Sequence, residues 1–397
     1  MSSRAFVRGS RGRILLGFLV VAVAVVVVGC GSSGSSSSSE GSSTEAETTT
    51  EEEAGGTTGE LGAVEEFVAQ AEAEPTSIPV QAALKAKPKP GETIVYLNSD
   101  IPQSQQVAEG MEQATESIGW KYEQINFKSA DISTLVTALE EALEKKPLAV
   151  VFGVGPEATW EQLRPAYEKA DVGMIPFLIG PAKETGPVWG NIGAGPQNEW
   201  IGKVLADWMI QNSGGTGKAV LQSIPAFAAV TEWVEGFEHE VSEQCPKCEV
   251  SSVETSIAEA TGGTAGATLT SALQSGGAGY AFVYNGAFIP GFKAELEAAG
   301  LPEVKLGGWS VTSEFISDEI NGSDYAWLAA NTRYIGWLAV DFALRHLEGG
   351  KLKPEETLLP AQLITKDNAT PELAEAVDDF KFPTDYGQQF EELWKVK

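Results

Sequence analysis

The stretch IVYLNSDIPQSQQVAEGMEQATESIGW, residues 94–120, places a strand pattern directly before a helix pattern. The β-rich run TIVYL (93–97) comes first, a polar loop follows, and apolar residues then recur at helical spacing from Gln105 to Ile118. Further short apolar runs alternate with amphipathic helical patterns along the rest of the chain. This alternation predicts an α/β fold in which helices cover both faces of a parallel sheet.

The alternation occurs in two series, which predicts two doubly wound α/β units, each with its own sheet. The first series has predicted strands at 122–127, 148–153 and 173–180 and predicted helices at 131–146 and 157–170. The second series is, in chain order, helix NEWIGKVLADWMIQN, strand KAVLQSI, helix TEWVEGFEHEVSEQ, strand EVSSVET, helix GATLTSALQS, strand GYAFVYN, helix AFIPGFKAELEAAG, strands VKLGGW and YAWLAAN, helix IGWLAVDFALRHLEGG and strand AQLIT.

The N-terminus has the parts of an export signal. Residues 1–13 carry four arginines and no acid, and Ile14 to Val28 is an uninterrupted run of apolar residues and glycine. This run is shorter than the ~20 residues that span a bilayer as a helix, which favours a signal peptide over residues 1–29. Gly29 followed by Cys30 resembles a bacterial lipobox, in which the cysteine is lipidated, although the family usually has Leu where this chain has Val27. An uncleaved anchor helix is the alternative, and both interpretations place the rest of the chain outside the cytoplasm.

The segment after Cys30 is predicted to be a disordered tether over residues 30–75. From Gly31 to about Gly59 it consists mainly of Gly, Ser, Thr and Glu, with no Lys or Arg. Such a composition buries too little apolar surface to offset chain entropy, and like charges extend it. We expect it to hold a folded body away from the membrane.

Composition excludes several classes of function. The formal net charge of −28 disfavours nucleic-acid binding, because phosphates would be repelled. With only His239 and His346, a histidine-based zinc site or a Ser/Cys–His catalytic arrangement is nearly excluded. The sequence GGTGKA (214–219) has Ala219 where a phosphate-binding loop needs Ser or Thr, and a strand follows where a helix is needed. The case for an enzyme is therefore weak, and we expect no metal and no cofactor.

Cys245 and Cys248 form a C-x-x-C pair. In the cytoplasm this spacing would suggest redox chemistry or half of a metal site, but the chain has no second pair or histidine cluster to complete four zinc ligands. An oxidising exterior favours a local disulfide at a helix-to-strand turn.

The order and spacing of these motifs resemble a class I periplasmic binding protein, the ribose/galactose-type receptors that serve ABC importers. The likeness runs from about Thr93 to Asn368. It rests on IVYLNSDIPQSQQVAEGMEQATESIGW, ALEKKPLAVVFGVGPEA, GMIPFLIG, EWVEGF, AFVYNGAFIPGF, VKLGGWSVTSE and IGWLAVDFALRHLEGG…LITKDN.

The resemblance implies two lobes joined by three crossovers, expected near residues 191–196, 330–333 and 358–362. The expected N-lobe comprises residues 92–192 plus 332–360, the C-lobe comprises 193–331 plus 361–368, and 369–397 form a C-terminal tail. A small molecule would bind between the lobes at the carboxyl ends of the strands, where doubly wound sheets place ligands. Lobe closure on the ligand would then be recognised by the permease, and we expect the receptor to act as a monomer.

Candidate ligand-binding residues follow predicted strands or lie in regions where the family binds its ligand. Asn285 falls where the family places a ligand-binding Asn or Asp, whereas Ser310 stands where sugar receptors typically have Asp. Asp100 has an alternative role as a cap of the next helix. The complete set is Asp100, Gln103, Phe227, Trp233, Asn285, Phe288, Trp309, Ser310 and Asn331.

The chain keeps aromatic residues and lacks the Arg and Asp usual in sugar sites, which favours a less polar or aromatic ligand, or a small sugar held differently. Two classes of function remain open. One is a lipid-anchored solute-binding protein that feeds an importer or signals to a membrane sensor. The other is a surface-attached interaction or adhesion protein that reuses the lobes.

Overall fold

The computed structural model describes residues 58–129 and 131–397. The predicted signal peptide, the predicted lipidation site Cys30 and the first part of the predicted tether lie outside the described residues. Within the described ranges, no helix combines the length and the apolar character that crossing a membrane requires.

Strands and helices alternate along the described chain as the sequence predicts. The strands are β1 (Thr93–Ser99), β2 (Lys121–Phe127), β3 (Ala149–Gly153), β4 (Gly173–Phe177), β5 (Lys218–Ser223), β6 (Glu249–Glu254), β7 (Tyr280–Val283), β8 (Lys305–Trp309), β9 (Ala326–Ala330) and β10 (Ala361–Thr365). The helices are α1 (Thr58–Glu72), α2 (Pro102–Ser117), α3 (Ser133–Glu144), α4 (Glu157–Trp160), α5 (Arg164–Ala170), α6 (Pro196–Ser213), α7 (Ala228–Gln244), α8 (Ile257–Thr261), α9 (Ala265–Gly276), α10 (Phe292–Ala298), α11 (Ser313–Ile320), α12 (Arg333–Leu347), α13 (Pro371–Ala376) and α14 (Tyr386–Leu393).

The N-lobe is built on a parallel sheet with the strand order β2-β1-β3-β4. Helix α3 covers one face and α2 covers the other, and α12, from the distant end of the chain, packs on α2. Two glycines make this helix contact possible. A Cβ at Gly110 would lie 2.0 Å from the carbonyl oxygen of Arg333, and a Cβ at Gly336 would lie 2.3 Å from the nitrogen of Met111.

The C-lobe is built on a sheet with the order β10-β9-β8-β7-β5-β6. Its strands are parallel except β10, which pairs antiparallel to β9. The chain enters β10 from the lobe junction, at the edge where the parallel strands end, so β10 runs in the opposite direction. Helices α6 and α7 pack together on one face of this sheet, whereas α9, α10 and α11 lie with the apolar cluster on the other.

Two predicted helices are interrupted. The helix predicted at 157–170 is divided into α4, a 3-10 turn and α5, whose first turn contains Pro165, a residue without a backbone N–H. The helix predicted from Ala287 begins only at Phe292, because Pro290 and Gly291 separate α10 from a 3-10 turn.

Helix α1 corrects the predicted extent of the tether. Residues 58–72 are not a solvated linker; they pack on α6 and on the sheet-edge strand β10. Val64, Val68 and Ala71 recur at helical spacing and are buried, and the Glu72 carbonyl accepts a hydrogen bond from Nε2 of Gln362 at 2.9 Å. The tether was predicted from the composition of the preceding segment, and the short amphipathic helix α1 was not recognised. This helix covers the β10 edge of the C-lobe sheet, which would otherwise be open.

The chain after α1 leaves the C-lobe and runs along the N-lobe. Nη2 of Arg345 in α12 donates to the Ala82 carbonyl at 2.6 Å, and the Leu84 N–H donates to the Leu393 carbonyl at 2.8 Å. Trp120 donates its indole N–H to the Lys89 carbonyl at 2.8 Å. The N-terminal segment therefore connects the two lobes.

The predicted C-terminal tail also connects them. Helix α13 packs on α11 of the C-lobe, whereas α14 packs on α12 of the N-lobe. Trp394 is fully buried, and its indole N–H donates to Oδ1 of the buried Asp341 at 2.8 Å. Five segments thus join the lobes instead of the three that the resemblance implied.

Candidate functional site

The loops that follow the strands of both sheets come together at the junction of the lobes. Gly180, after β4, packs against the first turn of α7, so that a Cβ at this position would lie 2.6 Å from the Cβ of Ala228. The carboxyl ends of parallel strands are where α/β sheets bind ligands, because loops and helix N-termini converge there. We describe the predicted site residues relative to this edge, which we call the cleft.

On the N-lobe side, Asp100 and Gln103 are exposed beside the end of β1. Oδ1 of Asp100 accepts hydrogen bonds from the backbone N–H and the hydroxyl of Ser129, at 2.9 and 2.6 Å. These two bonds hold the pKa of Asp100 below its usual value. Asp100 therefore ties the β1 loop to the β2 loop, and it does not cap α2, which starts after Ile101 without a side-chain cap.

The C-lobe side presents half-buried aromatic rings. Phe227 precedes α7, while Tyr284 and Phe288 follow β7. Between the latter two, Oδ1 of Asn285 accepts a hydrogen bond from the Ala287 N–H at 2.9 Å, while its Nδ2 has no partner among the described residues. Ser310 lies after β8 in the left-handed region, at φ 56°, and its carbonyl accepts from the Gly286 N–H at 3.2 Å.

Trp233 and Trp309 are not on the surface of the cleft. Trp233 is 0% exposed and Trp309 is 5% exposed, and both belong to the hydrophobic core. In α7, helical spacing places Trp233 on the same buried face as Val230 and Phe237. Both side chains are therefore buried within the lobe in this structure, and their contact with a ligand stays a prediction.

Asn331 is fully buried, and its hydrogen bonds join the crossover at residues 330–333 to neighbouring parts of the chain. Its N–H donates to the Pro360 carbonyl at 3.2 Å, and its Oδ1 accepts from the N–H of Tyr334 at 3.2 Å, in the first turn of α12. Its Nδ2 atom is buried without a partner in the described part of the chain. A polar ligand group would satisfy this donor, so the prediction for Asn331 remains open.

Tyr284 was missed by the sequence reasoning, and it joins a hydrogen-bonded chain. Its hydroxyl donates to Oδ1 of Asn198 at 3.0 Å, and Nδ2 of Asn198 donates to Oε2 of Glu232 at 2.7 Å. The same oxygen accepts from the N–H of Gly195 at 3.1 Å. Burial raises the pKa of Glu232 and that of Tyr284. The alternation of Tyr280, Phe282 and Tyr284 was the available signal, since residues two apart along an extended backbone point to the same side.

Cys245 and Cys248 are joined by a disulfide, with Cα atoms 5.3 Å apart. The pair lies between the end of α7 and the start of β6. It is therefore at the amino edge of the sheet, away from the cleft.

Two concave surfaces are found among the described residues, and one of them includes Pro181 and Ala182 of the loop after β4. One cavity of about 300 Å³ adjoins the first crossover and is lined by Trp189, Asn191, Phe342 and Lys351, among others. A groove of about 480 Å³ lies among α1, α6 and α7, with Phe67, Trp200 and His239 in its walls. Neither is lined by residues of the loops after β1, β7 and β8, where the predicted site residues Asp100, Asn285 and Ser310 lie.

The described residues contain no cluster of His, Cys, Asp and Glu that could hold a metal ion. His239 is exposed on α7, and the His346 ring stacks on Trp189 with centroids 3.7 Å apart. Each histidine thus has a position unrelated to the strand ends.

Comparison with known proteins agrees with this fold. Residues 93–351 match the family model of a periplasmic binding protein domain. No curated protein sequence gives a significant match. An ABC sugar transporter subunit from Rhodobacter sphaeroides is 21% identical, with a TM-score of 0.58, and the alignment covers 70% of this chain and 99% of that one.

Two further solved structures show similar agreement. GanP, a glucose-galactose binding protein from Geobacillus stearothermophilus, is 16% identical with a TM-score of 0.59, covering 70% of this chain and 99% of its own. A chain of the XylFII–LytSN complex is 17% identical with a TM-score of 0.57, covering 71% and 99%. At these identities, the structures establish the fold.

The family model matches well over half of the chain, which shows that the chain belongs to the periplasmic binding protein family. It is thus a solute-binding protein and not an enzyme, and its family acts outside the cytoplasm. Its fold is the two-lobed type I fold, which confirms the predicted class.

Proposed function

We propose that this protein is a lipid-anchored, extracytoplasmic receptor that captures a neutral small molecule between its lobes and delivers it to an ABC importer. The observation that carries the proposal is the composition of the C-lobe edge. Three half-buried aromatic residues, Phe227, Tyr284 and Phe288, belong to the same edge as Asn285, whose Nδ2 has no partner among the described residues. The carboxylate of Asp100, after β1, is already bonded to Ser129. Aromatic faces with a neutral amide suit a sugar or a less polar, ring-containing solute.

The similar structures support the transport role. The Rhodobacter protein is described as an ABC sugar transporter subunit, and the Geobacillus protein as a glucose-galactose binding protein. The present chain combines the same fold with the pattern of an export signal ending at Cys30. Capture would stabilise the closed lobes, which the permease recognises.

A second candidate function is signalling. A chain of this fold occurs in the XylFII–LytSN complex, which supports a role in which the lobes contact a second protein. For signalling, that protein would be a membrane sensor. The solute site is the same in both candidates, and the partner differs. Adhesion without a small ligand remains the outcome if no solute binds.

The site is tested by a thermal-shift screen of sugars, nucleosides and aromatic acids, followed by calorimetry on Asn285→Ala with the best ligand. Loss of the amide leaves a ligand polar group unpaired, and we expect the affinity to fall by roughly 5- to 150-fold, or about 1–3 kcal/mol. Asn321→Ala is the matched control, because it removes the same group at the end of α11 on the opposite edge of the sheet. Equal affinities of Asn285→Ala and wild type would exclude this residue from the site.

The anchor is tested in cells by fatty-acid labelling. Wild type should incorporate the label and partition into membranes, and Cys30→Ser should do neither. A wild-type protein that takes up no label would refute the lipoprotein assignment and leave solute binding untouched.

A further inference from the structure

The hydrogen-bonded chain from Tyr284 to Gly195 links the predicted solute surface to the first crossover. We propose that Tyr284 contacts the solute and that Glu232 is a positioning residue, which holds the Tyr284 ring and the crossover backbone in one arrangement. This inference rests on the proposed function, since it assigns the solute to the C-lobe edge. It adds a residue outside the predicted set and a route by which binding acts on the hinge.

Tyr284 has the geometry of a fixed contact surface. It follows β7 directly before Asn285, and the residue is half-buried, with its hydroxyl in the buried interior. Behind it, the ring of Trp233 packs edge-on at 6.2 Å and an angle of 65°. Its hydroxyl is held by Oδ1 of Asn198, which is fully buried in the first turn of α6. Because both ends of the ring are fixed, the exposed part is presented to a ligand without a loss of rotamer freedom on binding.

Glu232 forms the hydrogen bonds at the other end of the series that starts at Tyr284. A single oxygen, Oε2, accepts hydrogen bonds from the Asn198 side chain and from the Gly195 backbone. Gly195 lies in the first crossover with φ 35°, a backbone conformation that favours glycine. Movement of the lobes about this crossover reorients its backbone, so the shared carboxylate oxygen transmits that reorientation to Asn198 and hence to Tyr284.

The solute class follows from the same groups. The Tyr284 ring offers apolar surface, and the neighbouring Asn285 offers a free amide donor. Oε2 of Glu232 is occupied by two donors, the Gly195 N–H and the Asn198 amide. We therefore infer a neutral, ring-containing solute with at least one hydrogen-bond acceptor, for which a hexose, a pentose and a nucleoside are the probes.

The experiment compares wild type with Tyr284→Ala, Tyr284→Phe, Glu232→Ala and Glu232→Gln, with Glu235→Ala as the matched control. Glu235 is an exposed acid on the same helix, with no hydrogen bond or ion pair among the described residues. Glutamine retains an oxygen that accepts both bonds, so Glu232→Gln is the conservative rescue. Circular dichroism and thermal melting confirm that each variant is folded.

Calorimetry with the probe that binds wild type gives the first readout. We expect affinity to fall about tenfold or more in Tyr284→Ala and Glu232→Ala and about 3- to 10-fold in Tyr284→Phe, and to stay within about threefold in Glu232→Gln and Glu235→Ala. In the double variant Tyr284→Phe/Glu232→Ala, the losses should be less than additive, because both changes break one chain.

Hydrogen exchange without ligand gives the second readout. The amides of residues 191–200 should exchange faster in Glu232→Ala and in Tyr284→Phe than in wild type, and Glu232→Gln should restore protection. If the probes bind wild type but the Tyr284 and Glu232 variants retain full affinity and protection, the inference is wrong and the proposed function stands. If no probe binds, the proposed function and the solute contact of Tyr284 both fail. Unchanged exchange would then also refute the link to the hinge, whereas faster exchange would support that part alone.

Discussion

Glu319 in α11 is a single buried residue that makes the stability of the folded protein depend on pH. It is 1% exposed, and both of its carboxylate oxygens lack a partner in the described part of the chain. Burial, with Asp318 adding a like charge, raises the pKa of Glu319 well above its ordinary value of 4.5. The folded state therefore keeps a proton that the unfolded chain releases.

We predict that Glu319→Gln stabilises the protein at neutral pH. Because the pKa is higher in the folded state, the contribution of Glu319 is fully present below pH 4.5 and is lost as the pH rises toward the folded-state value. The amide does not ionise, so the melting temperature of Glu319→Gln should exceed that of wild type at pH 7.5 and approach it at pH 4. The exposed Glu303→Gln is the control. A difference between Glu319→Gln and wild type that does not vary with pH would show that Glu319 is already paired or solvated.

At the scale of elements, α1 shows that part of the predicted N-terminal tether is folded. Its buried residues pack on α6 and β10, and the Phe67 ring lies 4.5 Å from the Lys203 ammonium. Lys203 is itself paired with Asp207 at 2.9 Å and with Glu240. The helix is thus part of the folded body, and any tether ends before it.

We predict that Val68→Ala destabilises the folded body by roughly 1.5–3 kcal/mol, because Val68 is fully buried between α1 and the C-lobe. The exposed Gln70→Ala on the same helix should change stability by less than about 0.5 kcal/mol. Urea unfolding measures both. Equal stabilities for the two variants would mean that α1 does not dock.

At the scale of the whole molecule, the lobes are joined by five segments. The two terminal segments hold each other on the N-lobe, where Oε1 of Gln389 accepts from the N–H of Ile78 at 2.9 Å. On α12, Arg333 donates to Glu109 of the N-lobe at 2.7 Å, and also pairs with Asp379, which follows α13 on the C-lobe. Connections of this kind restrict how far the lobes separate.

We predict that Asp379→Ala widens the open state. It removes the contact of Arg333 with the C-lobe and leaves its pair with Glu109 in place. The radius of gyration of the ligand-free protein, from small-angle scattering, should rise above that of wild type and return to the wild-type value with ligand. Glu157→Ala, which breaks a pair with Arg164 inside the N-lobe, should leave the radius unchanged. The same radius for wild type and Asp379→Ala would show that this ion pair does not limit opening.

The sequence by itself determined the α/β class and the alternation of elements. These depend on periodicity over a few residues, which local backbone and side-chain geometry dictate. The tertiary structure alone decided which aromatic residues are exposed, since Trp233 is buried in the core whereas Tyr284, which sequence reasoning missed, is half-buried. It also decided the places of α1 and α14. Their positions depend on contacts such as that of Ile78 with Gln389, which join residues about three hundred positions apart and leave no short-range pattern in the sequence.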